Sequence, residues 1–121
     1  MPDQEKHVEQ ASRNEKLAQE LAGTTYTDWA MVSLFYAAFH LVDAYFDLKG
    51  ITAPENHGER IRVIARLADL RPVAVHYAYL YDQSWLARYR CVRVAQAQVA
   101  AVHRQNYVSL KRCLYGLLGI G

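Results

Sequence analysis

Cysteine, proline and glycine are all scarce in this chain, and each shortage restricts the fold. Only three Pro and six Gly occur, clustered at a few points, which is typical of long helices joined by short links. The two cysteines, Cys91 and Cys113, stand in predicted helices without the spacing of a paired set. We therefore expect two free thiols, as in a protein of the reducing cytoplasm.

Uninterrupted apolar runs of membrane-spanning length are also missing. Ser33, His40 and Asp43 divide the most apolar stretch into pieces too short to cross a bilayer. The start of the chain is highly charged, unlike a secretory signal, and strand-like alternation is absent throughout. The sequence therefore predicts one all-α domain, residues 1–121, located in the cytoplasm and away from membranes.

Short motifs for catalysis or cofactor binding are absent as well. The chain has no glycine-rich phosphate loop, no G-x-S-x-G turn and no Cys-x-x-Cys pair. Its five histidines are scattered singly, so no Cys/His/Asp set has metal-ligand spacing. We predict neither a metal site nor a cofactor.

The most informative stretch that is present runs from Asp28 to Asp47 and is apolar on nearly all sides. A helix of this kind has to be buried. At about 100° per residue, six residues with polar atoms fall in one narrow sector, which we call the polar stripe: Trp29, Ser33, Tyr36, His40, Asp43 and Asp47. Because unpaired buried polar groups are costly, we expect neighbouring helices or a second subunit to pair with this stripe. Its centre, Tyr36, His40 and Asp43, is either a packing network or a group that handles protons or a ligand.

Four other helices are predicted around this one. Thr27 or Asp28 caps the apolar helix and Gly50 ends it, while Pro72 begins the fourth helix. The last helix presents one face for burial: Val99, Val102, Asn106, Leu110, Cys113, Leu114 and Leu117. The predicted helices span residues 3–21, 28–47, 58–70, 72–93 and 94–118. The pattern predicts an up-and-down bundle of four long helices and one short helix.

Charge is distributed unevenly along the chain. Residues 1–59 hold four Lys/Arg and ten Asp/Glu, for a net charge of −6, whereas residues 60–121 hold ten and two, for +8. Most of the cations in the second half are arginines, which bind phosphates and carboxylates in a forked geometry. The basic half either attracts nucleic acid or a nucleotide, or pairs with the acidic half of the same chain or of a second copy.

Several motifs follow one another in an order that resembles a known family. They are the run FYAAFHLVDAY, then Gly50, the loop residue His57, Leu80, Ser84 and Ala87-Arg88-Tyr89. Over residues 28–117 the chain resembles the HEPN (higher eukaryote and prokaryote nucleotide-binding) domain family. The resemblance implies an all-α, HEPN-like bundle that forms a homodimer and works near RNA or nucleotides. It also implies a nucleotidyltransferase-type protein partner, or a toxin–antitoxin or defence setting.

Two alternatives to a binding function remain open. Many HEPN proteins are metal-independent ribonucleases that use an Arg followed, four to six residues later, by a His, and Arg71 with His76 matches that pattern. In such a site His76 moves a proton of the ribose and Arg71 steadies the phosphate across a dimer cleft. Pro72 departs from the pattern, since the family has a small polar residue there. The other alternative is a non-catalytic dimerisation or scaffold module.

Candidate ligand-binding residues lie mostly in the fourth predicted helix: Arg88, Tyr89, Ser84 and Arg90, with His57 in the loop. Arg88 either holds a phosphate while Tyr89 or Trp85 stacks on a base, or forms an ion pair with Asp43 or Asp47. His57 either contacts a phosphate or caps the short helix.

Overall fold

The structure, a computed structural model, describes residues 3–121, which form helices joined by short loops. The α-helices are α1 (Gln4–Ala22), α2 (Thr27–Lys49), α3 (His57–Arg66), α4 (Ala74–Tyr89), α5 (Gln96–Val102) and α6 (Val108–Leu118). A 3-10 turn, Arg71–Val73, leads into α4, and a π-helical segment, His103–Tyr107, joins α5 to α6 without a break. No strand occurs within the described residues, so the all-α prediction is confirmed.

Helix α2 is the centre of the core, as its composition predicts. Its buried residues include Leu34, Phe35, Leu41 and Phe46, with alanines between them that let neighbouring helices approach closely. Gly50 ends the helix in the left-handed conformation (φ 66°), which costs glycine little. The predicted cap is wrong: the residue at the cap position is Tyr26, and no side chain bonds the first N–H groups there.

By length and composition alone α2 is able to span a membrane, so the expectation that it is too short is not confirmed. Of its most apolar 18-residue stretch, 61% is buried inside the protein. Such burial is that of a core helix, since packed neighbours satisfy its apolar surface.

Helices α3 and α4 are both shorter than predicted. Helix α3 ends at Arg66 because Leu67 adopts an extended conformation, and α4 ends at Tyr89 instead of Arg93. Shortly after, Cys91 takes a left-handed conformation (φ 54°) that turns the chain away from the helix axis. Both cysteines are free thiols within the described residues, as predicted.

Helix α5, the π-helical segment and α6 form one continuous helical rod, which we call the last rod. The π-helical segment changes which residues of this rod are buried. Val99, Val102, Tyr107, Leu110 and Leu114 face the core. The five-residue step from Val102 to Tyr107 replaces the usual three or four, because a π turn holds an extra residue. Beyond Val102 the predicted face is therefore confirmed at Leu110 and Leu114 and wrong at Asn106, Cys113 and Leu117, which are only partly buried.

Candidate functional site

The centre of the polar stripe is paired from three sides, as predicted. Asp43 accepts a hydrogen bond from Arg60 of α3 and forms an ion pair with it. Tyr36 accepts a hydrogen bond from Arg88 of α4, at 3.2 Å. Trp29 and Asp47 are exposed, however, because they lie on the first and last turns of α2. The pairing prediction thus holds for the middle of the stripe, which is partly buried, and the burial prediction is wrong at its ends.

Arg60 occupies the interior of the bundle, with 2% of the residue exposed. Besides Asp43, its guanidinium donates to the Tyr77 hydroxyl at 2.9 Å and to the Phe39 carbonyl at 3.2 Å. The guanidinium carbon lies 3.8 Å from the centre of the Phe39 ring, which is a cation–π contact. Burial raises the pKa of Tyr77 to about 12, although Arg60 opposes that rise.

Among the described residues Arg88 forms an ion pair with neither Asp43 nor Asp47, so the ion-pair alternative for Arg88 is wrong. Arg60 takes the Asp43 carboxylate instead, while Arg88 donates to the Ser84 carbonyl at 3.3 Å and to the Ser84 hydroxyl at 3.4 Å. Ser84 is fully buried and donates to the Tyr81 carbonyl at 2.8 Å. Ser84 therefore fixes the position of Arg88 and is not itself accessible to a ligand.

Around Arg88 lies an exposed surface built of arginines and aromatic rings. We call the set the Arg88 surface: Trp29, Trp85, Arg88, Tyr89, Arg90 and Arg93. Tyr89 is 63% exposed and Trp29 is 56% exposed. The guanidinium of Arg88 lies 5.1 Å from the Tyr89 ring centre, and that of Arg90 lies 5.2 Å from Trp85. The structure thus brings Arg88, Tyr89 and Arg90 together, at the junction of α2 and α4.

A cavity of about 350 Å³ opens beside this surface. Its lining includes Arg88 and Arg93, one wall from Trp29 and Val32, and the carboxylate of Asp28. Two cations, an aromatic face and one acceptor therefore meet in one cavity, a combination that suits a ligand with both a phosphate and a base.

His57 lies inside an aromatic cluster and does not cap α3. The cap is Asn56, whose side chain accepts from the Glu59 N–H at 2.8 Å, so that alternative for His57 is wrong. The centre of the His57 ring lies 4.9 Å from the centre of the Tyr81 ring and 5.6 Å from that of the Phe35 ring. Its buried Nδ1 has no hydrogen-bond partner among the described residues. Burial lowers the pKa of His57, and the positive charges of Arg88 and Arg60 lower it further.

His40 hydrogen-bonds to another histidine. The Nδ1 atoms of His40 and of His7, on α1, are 3.0 Å apart. Burial lowers the pKa of His40, with help from His7 and Arg60, while Asp43 acts in the opposite direction. One ligand atom each of His7, His40 and Asp43 lies within 4.8 Å of the others. The sequence indicated that His40 and Asp43 share a face, but no sequence signal indicated that His7 joins them, because His7 and His40 are 33 residues apart.

Arg71 and His76 each have partners that point in different directions. Arg71 donates to the carbonyls of Ala65 at 3.4 Å and Arg66 at 3.3 Å, at the end of α3. The Nδ1 of His76 is 3.0 Å from the amide nitrogen of Asn106 in the π-helical segment. The side chains of Arg71 and His76 share no hydrogen bond and no partner residue. The nuclease hypothesis therefore still requires a second copy of the chain to bring two such motifs together.

Glu15 forms a second polar cluster between α1 and the last rod. It accepts from His103 Nε2 at 2.8 Å and from Lys111 Nζ at 2.8 Å. These two hydrogen bonds lower the pKa of Glu15, with that of His103 the larger cause, against the opposing effect of burial. The cluster shows one acidic side chain of the first half pairing with two basic side chains of the second half.

Comparison of the chain with protein-family models, curated proteins and solved structures yields no match. The chemistry of the side chains described above is therefore the basis for proposing a function.

Proposed function

We propose that this protein is an HEPN-like module that binds RNA or a nucleotide on the Arg88 surface. The observation that carries the proposal is the exposed pair of aromatic rings, Tyr89 and Trp29, beside three exposed or partly exposed arginines. On this proposal the module works in the cytoplasm as a homodimer. It is one component of a nucleotidyltransferase-partnered, toxin–antitoxin or defence system.

Arg88 is the phosphate-binding group of the proposal. Its hydrogen bonds to Ser84 and Tyr36 hold the guanidinium in one place, so little side-chain entropy is lost when it binds. A fixed guanidinium offers two parallel N–H groups to a phosphate. Arg93, in the same cavity, adds a second positive charge.

The aromatic rings supply the contact with a base. Tyr89 and Trp29 expose ring surface to solvent, and stacking of a base on such a ring is worth about 1–3 kcal/mol. Asp28 lines the same cavity and offers a carboxylate acceptor for the amino group of a base. Stacking itself is tolerant of sequence, whereas the acceptor Asp28 suits only a base with an amino group, so we expect single-stranded RNA to bind with a modest preference for A, C or G over U.

Intrinsic tryptophan fluorescence tests the proposal directly, because both tryptophans of the chain belong to the Arg88 surface. The parent protein is titrated with a single-stranded RNA oligonucleotide, and separately with a nucleoside triphosphate, at two salt concentrations. We expect quenching and an affinity that falls as salt rises. An affinity that is absent, or that does not depend on salt, contradicts the proposal.

Two tyrosines of α4 provide matched variants. Tyr89→Ala removes a ring of the Arg88 surface and is expected to weaken RNA binding by roughly tenfold to hundredfold. Tyr79→Ala removes another exposed ring of the same helix, outside that surface, and is expected to leave the affinity unchanged. Equal losses in both variants contradict the assignment of the site.

The scaffold alternative has its own test. Co-purification with a nucleotidyltransferase, together with no RNA affinity of the isolated dimer, favours a module whose role is to hold a partner. Sedimentation velocity of the purified chain reports whether the dimer forms without that partner.

A further inference from the structure

We propose that His7, His40 and Asp43 form a binding site for a late first-row divalent cation such as Zn²⁺. The three side chains come from two helices that pack against each other, α1 and α2. The proposal is independent of RNA binding, since none of these residues belongs to the Arg88 surface.

The geometry of the two imidazoles supports a shared cation. Zinc–nitrogen bonds of about 2.0–2.1 Å at tetrahedral angles place two nitrogen ligands roughly 3.3 Å apart. The Nδ1 atoms of His7 and His40 are 3.0 Å apart, so a small opening of the two rings accommodates the ion. In the structure these nitrogens share a hydrogen bond, and one ring therefore carries its proton on Nδ1. Cation binding moves that proton to Nε2 of the same ring through solvent, and both Nδ1 lone pairs then face the ion.

Asp43 supplies the third ligand. It stands one helical turn after His40 on α2, so both side chains extend from one face of the helix. A carboxylate oxygen of Asp43 and one ring nitrogen of each histidine lie within 4.8 Å of one another. Arg60 bonds Oδ1 of this carboxylate and so orients it, which is the role that outer partners of metal ligands play. The positive charge of Arg60 opposes the cation, so we expect affinity below that of a site without it.

A cavity reaches two of the three proposed ligand residues, His7 and Asp43, and His40 lies outside its lining. It has a volume of about 380 Å³ and is lined by His7, Asp43, Asp47 and the chain from Gly50 to Ala53. Asp47, one turn beyond Asp43, adds negative charge at the mouth. Three protein ligands and an open side correspond to the pattern in which water completes the coordination of zinc. Two imidazoles and one carboxylate favour zinc and its neighbours over Mg²⁺ or Ca²⁺, which prefer ligand sets made of oxygen.

Zinc titration calorimetry on protein without a histidine tag, first dialysed against a chelator, tests the site. We expect one Zn²⁺ per chain, and a tetrahedral Co²⁺ absorption spectrum when Co²⁺ replaces zinc. His7→Gln is expected to weaken zinc binding by at least about tenfold. His76→Gln, which changes a histidine bonded to Asn106, is the matched control and is expected to bind zinc as the parent does.

Thermal unfolding separates a site in the folded protein from binding to the unfolded chain. Zinc is expected to raise the Tm of the parent and of His76→Gln, and to leave the Tm of His7→Gln unchanged. His40→Gln is the second variant if His7→Gln loses helix content by circular dichroism. The proposal is overturned if the parent binds no zinc, if His7→Gln and His40→Gln bind it as tightly as the parent, or if His76→Gln loses binding equally.

Discussion

Arg60 and Asp43 form an ion pair inside the bundle, where the side chain of Arg60 is 3% exposed and that of Asp43 is 14% exposed. The pair joins α3 to α2, and the bond from Arg60 to Tyr77 extends the connection to α4. Loss of the Asp43 charge therefore leaves the Arg60 guanidinium enclosed by the aromatic rings of Phe39 and Phe46.

Asp43→Ala is expected to lower the free energy of unfolding by about 3–5 kcal/mol, because it leaves a buried guanidinium without its counter-ion. Urea unfolding measured in the presence of a chelator gives the value without any contribution from bound metal. Glu59→Ala is the control, since it removes the exposed partner of Arg62 in the same helix. That variant is expected to cost less than about 1 kcal/mol. Similar costs for the two substitutions would show that Arg60 is hydrated in solution.

The sequence predicts the central helix well because the signals for it are local. A run that is apolar on all sides has one stable location, the core, and Gly50 sets its end. The same periodicity shows that Tyr36, His40 and Asp43 share a face. Which arginine reaches that face is a different question, since Arg60 and Arg88 both stand in helices rich in apolar residues. Only the packing of α3 and α4 on α2 decides it, and no pattern within either helix carries that information.

The end of the chain shows where a periodicity argument fails. A helical period of 3.6 residues assumes an unbroken α-helix, and the π-helical segment at His103–Tyr107 shifts the phase of everything after it. The end of α4 is missed for a related reason, because Cys91 gives no glycine signal for its left-handed conformation. The contact of His7 with His40 depends on the packing of α1, so spacing along the chain does not indicate it.

His57→Phe is expected to raise the free energy of unfolding by about 1 kcal/mol at neutral pH, because it removes a buried Nδ1 without a partner. The gain should increase as pH falls. The folded-state pKa of His57 lies below the ordinary value of 6.5, so the unfolded chain protonates this histidine more readily than the folded protein does. The parent therefore loses stability as pH falls from 6.5 through the folded pKa, whereas His57→Phe has no such loss at this position. Urea unfolding across that range measures the difference. A less stable His57→Phe at neutral pH would show that Nδ1 has a partner in solution.

Glu15→Gln is expected to lower the free energy of unfolding by about 1–2 kcal/mol at neutral pH, because His103 and Lys111 lose a charged acceptor. The folded pKa of Glu15 lies below its ordinary value of 4.5. Its stabilising contribution is therefore present above pH 4.5 and is lost as pH falls through the folded pKa. Below pH 4.5 the folded fraction, measured by circular dichroism, should fall less steeply in Glu15→Gln than in the parent. Glu20→Gln, at an exposed position of the same helix, should follow the parent curve. If Glu20→Gln instead behaves like Glu15→Gln, the changed acid stability results from the altered net charge and not from the Glu15 cluster.

His76→Ala separates RNA binding from RNA cleavage. His76 lies outside the Arg88 surface, so the variant is expected to keep the parent's affinity for single-stranded RNA and to lose about 1 kcal/mol of stability with the bond to Asn106. Incubation of the parent protein with structured RNA, resolved on a denaturing gel, tests the nuclease alternative. Cleavage by the parent that disappears in both His76→Ala and Arg71→Ala would establish that alternative. Cleavage that persists in His76→Ala would exclude this histidine as the proton-transfer group.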